Sequence, residues 1–307
     1  MPHNNNIARC SRQPVRIRIT ITMLRVVAQQ RATATGPITP ITPEARTAPP
    51  TQHISRTHQA LKLATVTATL ASLALSASAD VEPVYFGNGC YWGRQYDQVK
   101  TEQQKLGRSD KDISAVVGYA GGRKTSPSGK VCYYYTNELD TIYEKLGHAE
   151  VVQVQLRDES GMSKEDQFRE YARTYFSEFN KLRNGSMQRQ DPQDAGAGYR
   201  NTVGIPGGVN SPLFKILQEE NVNGMDLREG AGNENVGLLS TPTEGDVLNT
   251  VWVIDSDKFP FFRAEVYHQF HNGLGKRFST SYTNDLKKQA LANRLIGETG
   301  CPEWSGL

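Results

Sequence analysis

The residue that most invites chemistry is the cysteine of "YFGNGCYWGR", residues 85–94. Cys90 follows an apolar stretch, Val84-Tyr85-Phe86, and a Gly87-Asn88-Gly89 turn; Tyr91, Trp92 and Gly93 come after it. If a helix starts here, the thiol lies beside unpaired N–H groups at the positive dipole end, and both favour thiolate. The glycines allow a tight, exposed bend and close approach of a substrate. Tyr91 and Trp92 would wall a small apolar pocket suited to an S-methyl or alkyl group. A free buried cysteine beside core aromatics is the alternative. The glycine spacing is not that of a dinucleotide fingerprint.

Glu150 is the second informative residue. Counting by two along a strand puts it on the face of Val152, Val154 and Leu156. A carboxyl buried there should be pushed up in pKa and serve as a general acid. A strand-end Glu that reaches solvent is the alternative, and the adjacent His148 is another acid–base candidate. Tyr119 precedes a Gly turn at Gly121-Gly122. Tyr199 and Arg200 close the Gly-interrupted loop "DAGAGYR", which Asp194 opens. Phenols so placed can donate hydrogen bonds to a substrate oxygen, although each taken singly is equally a packing residue. Glu265 and His268 in "EVYHQFH" have di-iron half-site spacing, with His271 one turn on. No second such motif exists, so no metal or other cofactor is expected.

Positioning these groups falls to a recognisable set of elements. Strands are expected at Val84–Phe86, within 112–122, at 147–156 and at 250–255, and a helix from Cys90 through 105. "SKEDQFREYARTYFSEFNK" (163–181) reads as a helix with Ser163 and Asp166 as a capping box. "NSPLFKILQEE" has Ser211 as N-cap and Pro212 in the first turn. "FRAEVYHQFH" and "NDLKKQALANRLIG" read as further helices. Without a regular βαβ rhythm, the pattern predicts a two-layer α+β domain with helices over a small mixed sheet.

Charge and cysteine use narrow the setting. Residues 1–79 hold nine of the 35 basic residues and one of the 32 acidic ones, leaving 26 and 31 from Asp80 onward, a net of −5. The net charge of +3 therefore resides in the leader and does not predict nucleic-acid binding. The leader is Arg-rich and acid-poor, then runs into an apolar, small-residue stretch ending Ala77-Ser78-Ala79. It resembles a transit stretch followed by a signal sequence. Two-step delivery to an inner organellar compartment such as the thylakoid lumen is one reading; a misassigned start upstream of an ordinary signal peptide is the other. A chloroplast, mitochondrial or secretory location is expected, without stable membrane association after processing. One catalytic domain is expected over 80–307, as a monomer. Its cysteines, Cys90, Cys132 and Cys301, lack metal-type spacing and do not make a disulfide scaffold.

Taken in order, Gly89-Cys90-Tyr91-Trp92-Gly93, Gly118-Tyr119-Ala120-Gly121-Gly122, Gly147-His148-Ala149-Glu150, Asp194 with Gly196 and Tyr199-Arg200, and Ala264-Glu265-Val266-Tyr267-His268-Gln269 resemble the A-type peptide methionine sulfoxide reductases. The resemblance spans roughly Pro83 to His271. It implies a ferredoxin-like α+β fold with extra decoration and an irregular C-terminal tail. It also implies thiol-dependent reduction of methionine-S-sulfoxide, protein-bound or free, with repair of oxidised proteins as the role. Cys90 would attack sulfur, Glu150 would protonate the oxygen, and Tyr119 and Tyr199 would hold that oxygen. Tyr91 and Trp92 would enclose the methyl group, with Asp194 organising the loop. The resulting sulfenic acid would be resolved by Cys301 or, less favoured, Cys132, or reduced directly by an external thiol; thioredoxin or a similar dithiol is the expected partner. The chain departs from the family at Tyr91, usually Phe. "YYYTNELDTIYEKL" (133–146) is longer than the family's turn, Gly198 and Asn201 should loosen the pocket loop, and 221–246 has no counterpart. A thiol peroxidase and a non-catalytic module that binds oxidised methionine are the competing readings.

Overall fold

The computed structural model describes residues 81–134, 141–159, 161–233 and 243–303. The readings of the leader, and those parts of the two long stretches that fall on 135–140 and 234–242, lie outside these residues. β1 (Glu82–Gly87) leads into α1 (Tyr91–Gln104), followed by β2 (Val116–Ala120), β3 (Ala149–Leu156) and α2 (Lys164–Ser177). A hairpin of β4 (Phe179–Lys181) and β5 (Met187–Arg189) precedes β6 (Thr202–Ile205). Strands β6-β1-β3-β2 lie side by side in that order, each pairing antiparallel. Two such βαβ halves, β1-α1-β2 and β3-α2-β6, make the split-βαβ arrangement of a ferredoxin-like α+β fold.

The chain then adds α3 (Pro212–Glu220), β7 (Asp226–Gly230), β8 (Thr250–Asp255) and β9 (Phe262–Arg263). The first two of these strands extend the sheet in parallel beyond β6, and β9 pairs antiparallel with β2. The result is a 7-stranded mixed sheet. The expected α+β arrangement of helices with a mixed sheet is present, and the sheet is wider than expected. Val251, Val253 and Ile254 are buried on both faces of β8, as an inner parallel strand requires, and β7 comes from the stretch without a family counterpart.

Val84, Phe86, Val152, Val154 and Leu156 meet Val99 of α1 and Phe168, Tyr171, Tyr175 and Phe176 of α2 in one core. Tyr85, Val151 and Ile254 point the other way, against Phe259 and Phe261. Both predicted caps form. Ser163 Oγ accepts from Asp166 N at 3.1 Å, and Ser211 Oγ accepts from Leu213 N at 3.3 Å. The helix expected across "FRAEVYHQFH" does not form; β9 gives way to a 3-10 turn at Val266–His268. Gln269 explains this. Its side chain accepts from Val117 N at 3.0 Å and donates to Val117 O at 2.9 Å and Ala264 O at 3.1 Å, holding the segment to β2. The tail helix is a π-helical turn, Ser281–Leu286, running into α4 (Lys287–Ala292). No helix among the described residues is long and apolar enough to cross a membrane.

Candidate active site

Cys90 is the N-cap residue of α1, with extended backbone angles (φ −66°, ψ 123°). Gly89 before it has φ +84°, a left-handed conformation that strains any side chain. A Cβ on Gly87 would strike Glu150 O, 2.5 Å away. These glycines therefore do bring the thiol close against β3. The exposed bend is not found: Cys90 has 0 % exposure, and it is the cysteine outside the disulfide among the described residues. Its thiol donates to Asp194, whose buried carboxyl is pushed up to about 6 by desolvation, the Cys90 hydrogen bond opposing that rise. Asp194 thus meets the Cys90 thiol directly.

The first amide of α1 does not face the thiol. Tyr91 N donates to Glu150 Oε2 at 3.0 Å, so the helix N-terminus holds the buried carboxyl. Alternation along β3 puts Glu150 on the helix-covered face, and strand register sets it opposite Tyr119. Tyr143 donates to Glu150 Oε1 at 3.3 Å and also hydrogen-bonds Tyr199. On the other side, the Tyr91 and Tyr119 hydroxyls are 3.4 Å apart, and Tyr119 donates to Glu265 Oε2 at 2.6 Å. Burial holds the phenols of Tyr91, Tyr119 and Tyr143 well above the usual tyrosine range, so they act as neutral donors. Desolvation also raises Glu265.

Two of these residues escaped the sequence reading. Tyr143 lies in the long 133–146 stretch, recognised only for its length. Glu265 was weighed as a metal ligand and quoted in the 264–269 motif, with no partner assigned; it accepts from Tyr119 and from Tyr133 N, the latter at 2.8 Å. His268 accepts from Trp92 Nε1 at 3.3 Å through Nδ1 and stacks between Tyr91, Trp92 and Tyr133. Desolvation lowers it to about 3, so it is neutral. His148 turns away, bonding Lys124 O at 2.7 Å through Nε2, and burial lowers it to about 4.

The loop from Asp194 to Asn201 is not loose, contrary to what Gly198 and Asn201 led us to expect. Arg189 donates to Tyr199 O at 2.7 Å and Asp194 O at 2.8 Å, and Gly89 N donates to Tyr199 O at 3.0 Å. Arg200 ties the loop to both strand ends, through Gly121 O at 2.9 Å and Gly147 O at 3.3 Å. A Cβ at position 198 would meet Glu144 Cγ at 2.5 Å, so glycine there admits a neighbour. Asn201 Nδ2 donates to Leu248 O and Thr250 O at 3.1 and 3.0 Å. The carboxylates that balance the two arginines, Glu244 for Arg200 and Asp246 for Arg189, come from the 221–246 stretch. That segment serves the pocket.

Cys132 and Cys301, considered above as rival partners of Cys90, are bonded to each other, with their Cα atoms 5.6 Å apart. Cys301 is thus not paired with Cys90, because the tail docks against Val131 and Cys132.

The chain matches no family model and no curated protein. Two solved structures align with 62 % of it. Methionine sulfoxide reductase A of Corynebacterium diphtheriae is 17 % identical over 72 % of its own length, with a TM-score of 0.34. Mxr1 of Saccharomyces cerevisiae, in reduced form, is 20 % identical over 82 % of its length, with a TM-score of 0.32. Alignments this weak decide nothing about the activity, which has to be read from the site.

Proposed function

We propose that the chain reduces methionine-S-sulfoxide to methionine at Cys90, with a thioredoxin-type dithiol as reductant. The observation that carries this reading is the meeting of Cys90, Glu150 and Tyr119 at one helix N-terminus, with Asp194 on the thiol. Asp194 takes the thiol proton, and the thiolate attacks the sulfoxide sulfur. Glu150, entering as the acid, protonates the departing oxygen, while Tyr119, released from its bond to Glu265, and Tyr199 donate to it. The S–O oxygen passes to Cys90, methionine leaves, and Cys90 is left as a sulfenic acid. Two external thiol equivalents return it to the thiol and release water. Tyr91 and Trp92 supply the apolar wall for the S-methyl group. With Cys90 fully buried, this chemistry requires the pocket to open to substrate.

Oxidised proteins and the free amino acid are both candidate substrates, and an organelle or the secretory pathway is the proposed setting. The test offers the separated epimers of N-acetyl-methionine sulfoxide to the full chain with dithiothreitol. Loss of the S-epimer alone, abolished in Cys90→Ser, is expected. Turnover of hydrogen peroxide without turnover of either epimer would instead make this a peroxidase. Binding of the S-epimer without turnover would leave only the binding-module reading.

A further inference from the structure

The Cys132–Cys301 disulfide takes no part in the reaction just described, yet it sits beside a buried carboxylate. The sulfur atoms of Cys132 and Cys301 and a carboxylate oxygen of Glu265 all lie within 4.8 Å of one another. We propose that these three residues form a redox-gated site for a thiophilic divalent cation such as Zn2+, closed while the disulfide stands and opened when a dithiol reduces it. The proposal does not depend on the reductase reading, with which it shares only Glu265.

The donor set fits that class of ion. Two thiolates select Zn2+ over Mg2+ or Ca2+, and a carboxylate completes a common zinc ligand set with one position left for water. Tetrahedral bond lengths put such ligand atoms roughly 3.6–3.8 Å apart. Two freed sulfurs need therefore separate only modestly from their bonded positions. Among the described residues, Tyr119 donates to Glu265 Oε2 and Tyr133 N donates to Oε1. A carboxylate oxygen has a second lone pair to offer.

The tail is anchored by more than the disulfide, so reduction need not release Cys301. Glu303 accepts from Val266 N at 2.8 Å and Tyr267 N at 2.9 Å, directly beside Glu265 in the chain. Arg263 Nη1 donates to Leu295 O at 3.0 Å on the other side of the cysteine. Cys301 is half-buried and Cys132 has 0 % exposure, so an incoming thiolate reaches the Cys301 sulfur first. The dithiol gives two electrons and two protons, leaving two protein thiols and an oxidised dithiol. Cation binding then displaces the two thiol protons.

The test uses the full chain carrying Cys10→Ser, reduced with a phosphine that is removed without air, and Co2+ as the probe. One equivalent of Co2+ with thiolate-to-cobalt charge-transfer absorption is expected in the reduced protein, displaced by Zn2+, and none in the oxidised protein. The signal should persist in Cys90→Ser and disappear in Cys301→Ser, whose tail position makes misfolding a small risk. Glu265→Gln should weaken Co2+ binding by about tenfold or more. No uptake after reduction, or uptake that survives Cys301→Ser, overturns the proposal and leaves the disulfide a tether. Undiminished affinity in Glu265→Gln overturns the three-residue assignment.

Discussion

Two buried polar clusters occupy opposite ends of α1, and they are finished differently. At the C-terminal end, Arg108 donates to Glu102 Oε1 at 2.6 Å, the Tyr171 hydroxyl oxygen at 2.7 Å, Gln167 Oε1 and Gln155 O at 2.9 Å, and Glu159 Oε1 at 3.0 Å. Glu102 in turn accepts from Ser114 N, Ala115 N, Ser114 Oγ and the Tyr171 hydroxyl. At the N-terminal end, around Cys90, Asp194 Oδ2 and His268 Nε2 have no hydrogen-bond partner among the described residues. Closed networks of the first kind hold a fold in one arrangement, whereas open valence inside a buried cluster calls for an explanation. We read the second cluster as the one that receives a ligand.

The sharpest way to break that contrast is a pair of variants. Arg108→Met strands Glu102 as an unpaired buried charge and should cost about 3–5 kcal/mol of stability, a fall in Tm on the order of 10 °C. Glu150→Gln should lower S-epimer turnover by about 100- to 10,000-fold while moving Tm by a few degrees at most. Thermal unfolding and the epimer assay on both proteins check this; equal losses of stability would erase the distinction between the clusters.

A middle-sized effect concerns pH. Asp194 is raised to about 6, so it becomes an ionised acceptor for the thiol proton as pH passes that value. The rate of Cys90 alkylation by iodoacetamide should rise with a step near there. Asp194→Asn should remove the step and lower the rate at neutrality several-fold. A variant that keeps the step shows that another group takes the proton.

The smallest effect lies at the border of the two regions, at the buried Glu178 beside Arg94 and Asn88. Desolvation raises Glu178 to about 8 against the pull of Arg94. A raised acid binds its proton more tightly folded than unfolded, so it removes stability as pH climbs from about 4.5 towards 8. Wild-type Tm should fall over that window, and Glu178→Gln should flatten the fall. Differential scanning calorimetry across the pH series checks it.

Much of this was legible beforehand because it is local. Capping at Ser163 and Ser211, the glycine turn before Cys90 and the alternation that buries Glu150 follow from neighbours within a few residues. What failed was non-local. The segment around Glu265 reads as a helix by periodicity, and only the bonds of Gln269 to Val117 and Ala264 hold it to the sheet edge. Tyr143 carried no signal, since nothing in its surroundings marks it as the partner of Glu150.

The sequence by itself determined the caps, turns and strand alternation around Cys90 and Glu150, because these depend on short-range sterics and hydrogen bonding. Only the tertiary structure decided who meets whom. Cys301 joins Cys132 instead of Cys90, Asp194 receives the Cys90 thiol, and Glu244 and Asp246 close on the arginines of the pocket loop. Those pairings depend on where the edge strands and the tail dock on the shared sheet, which chain spacing does not encode.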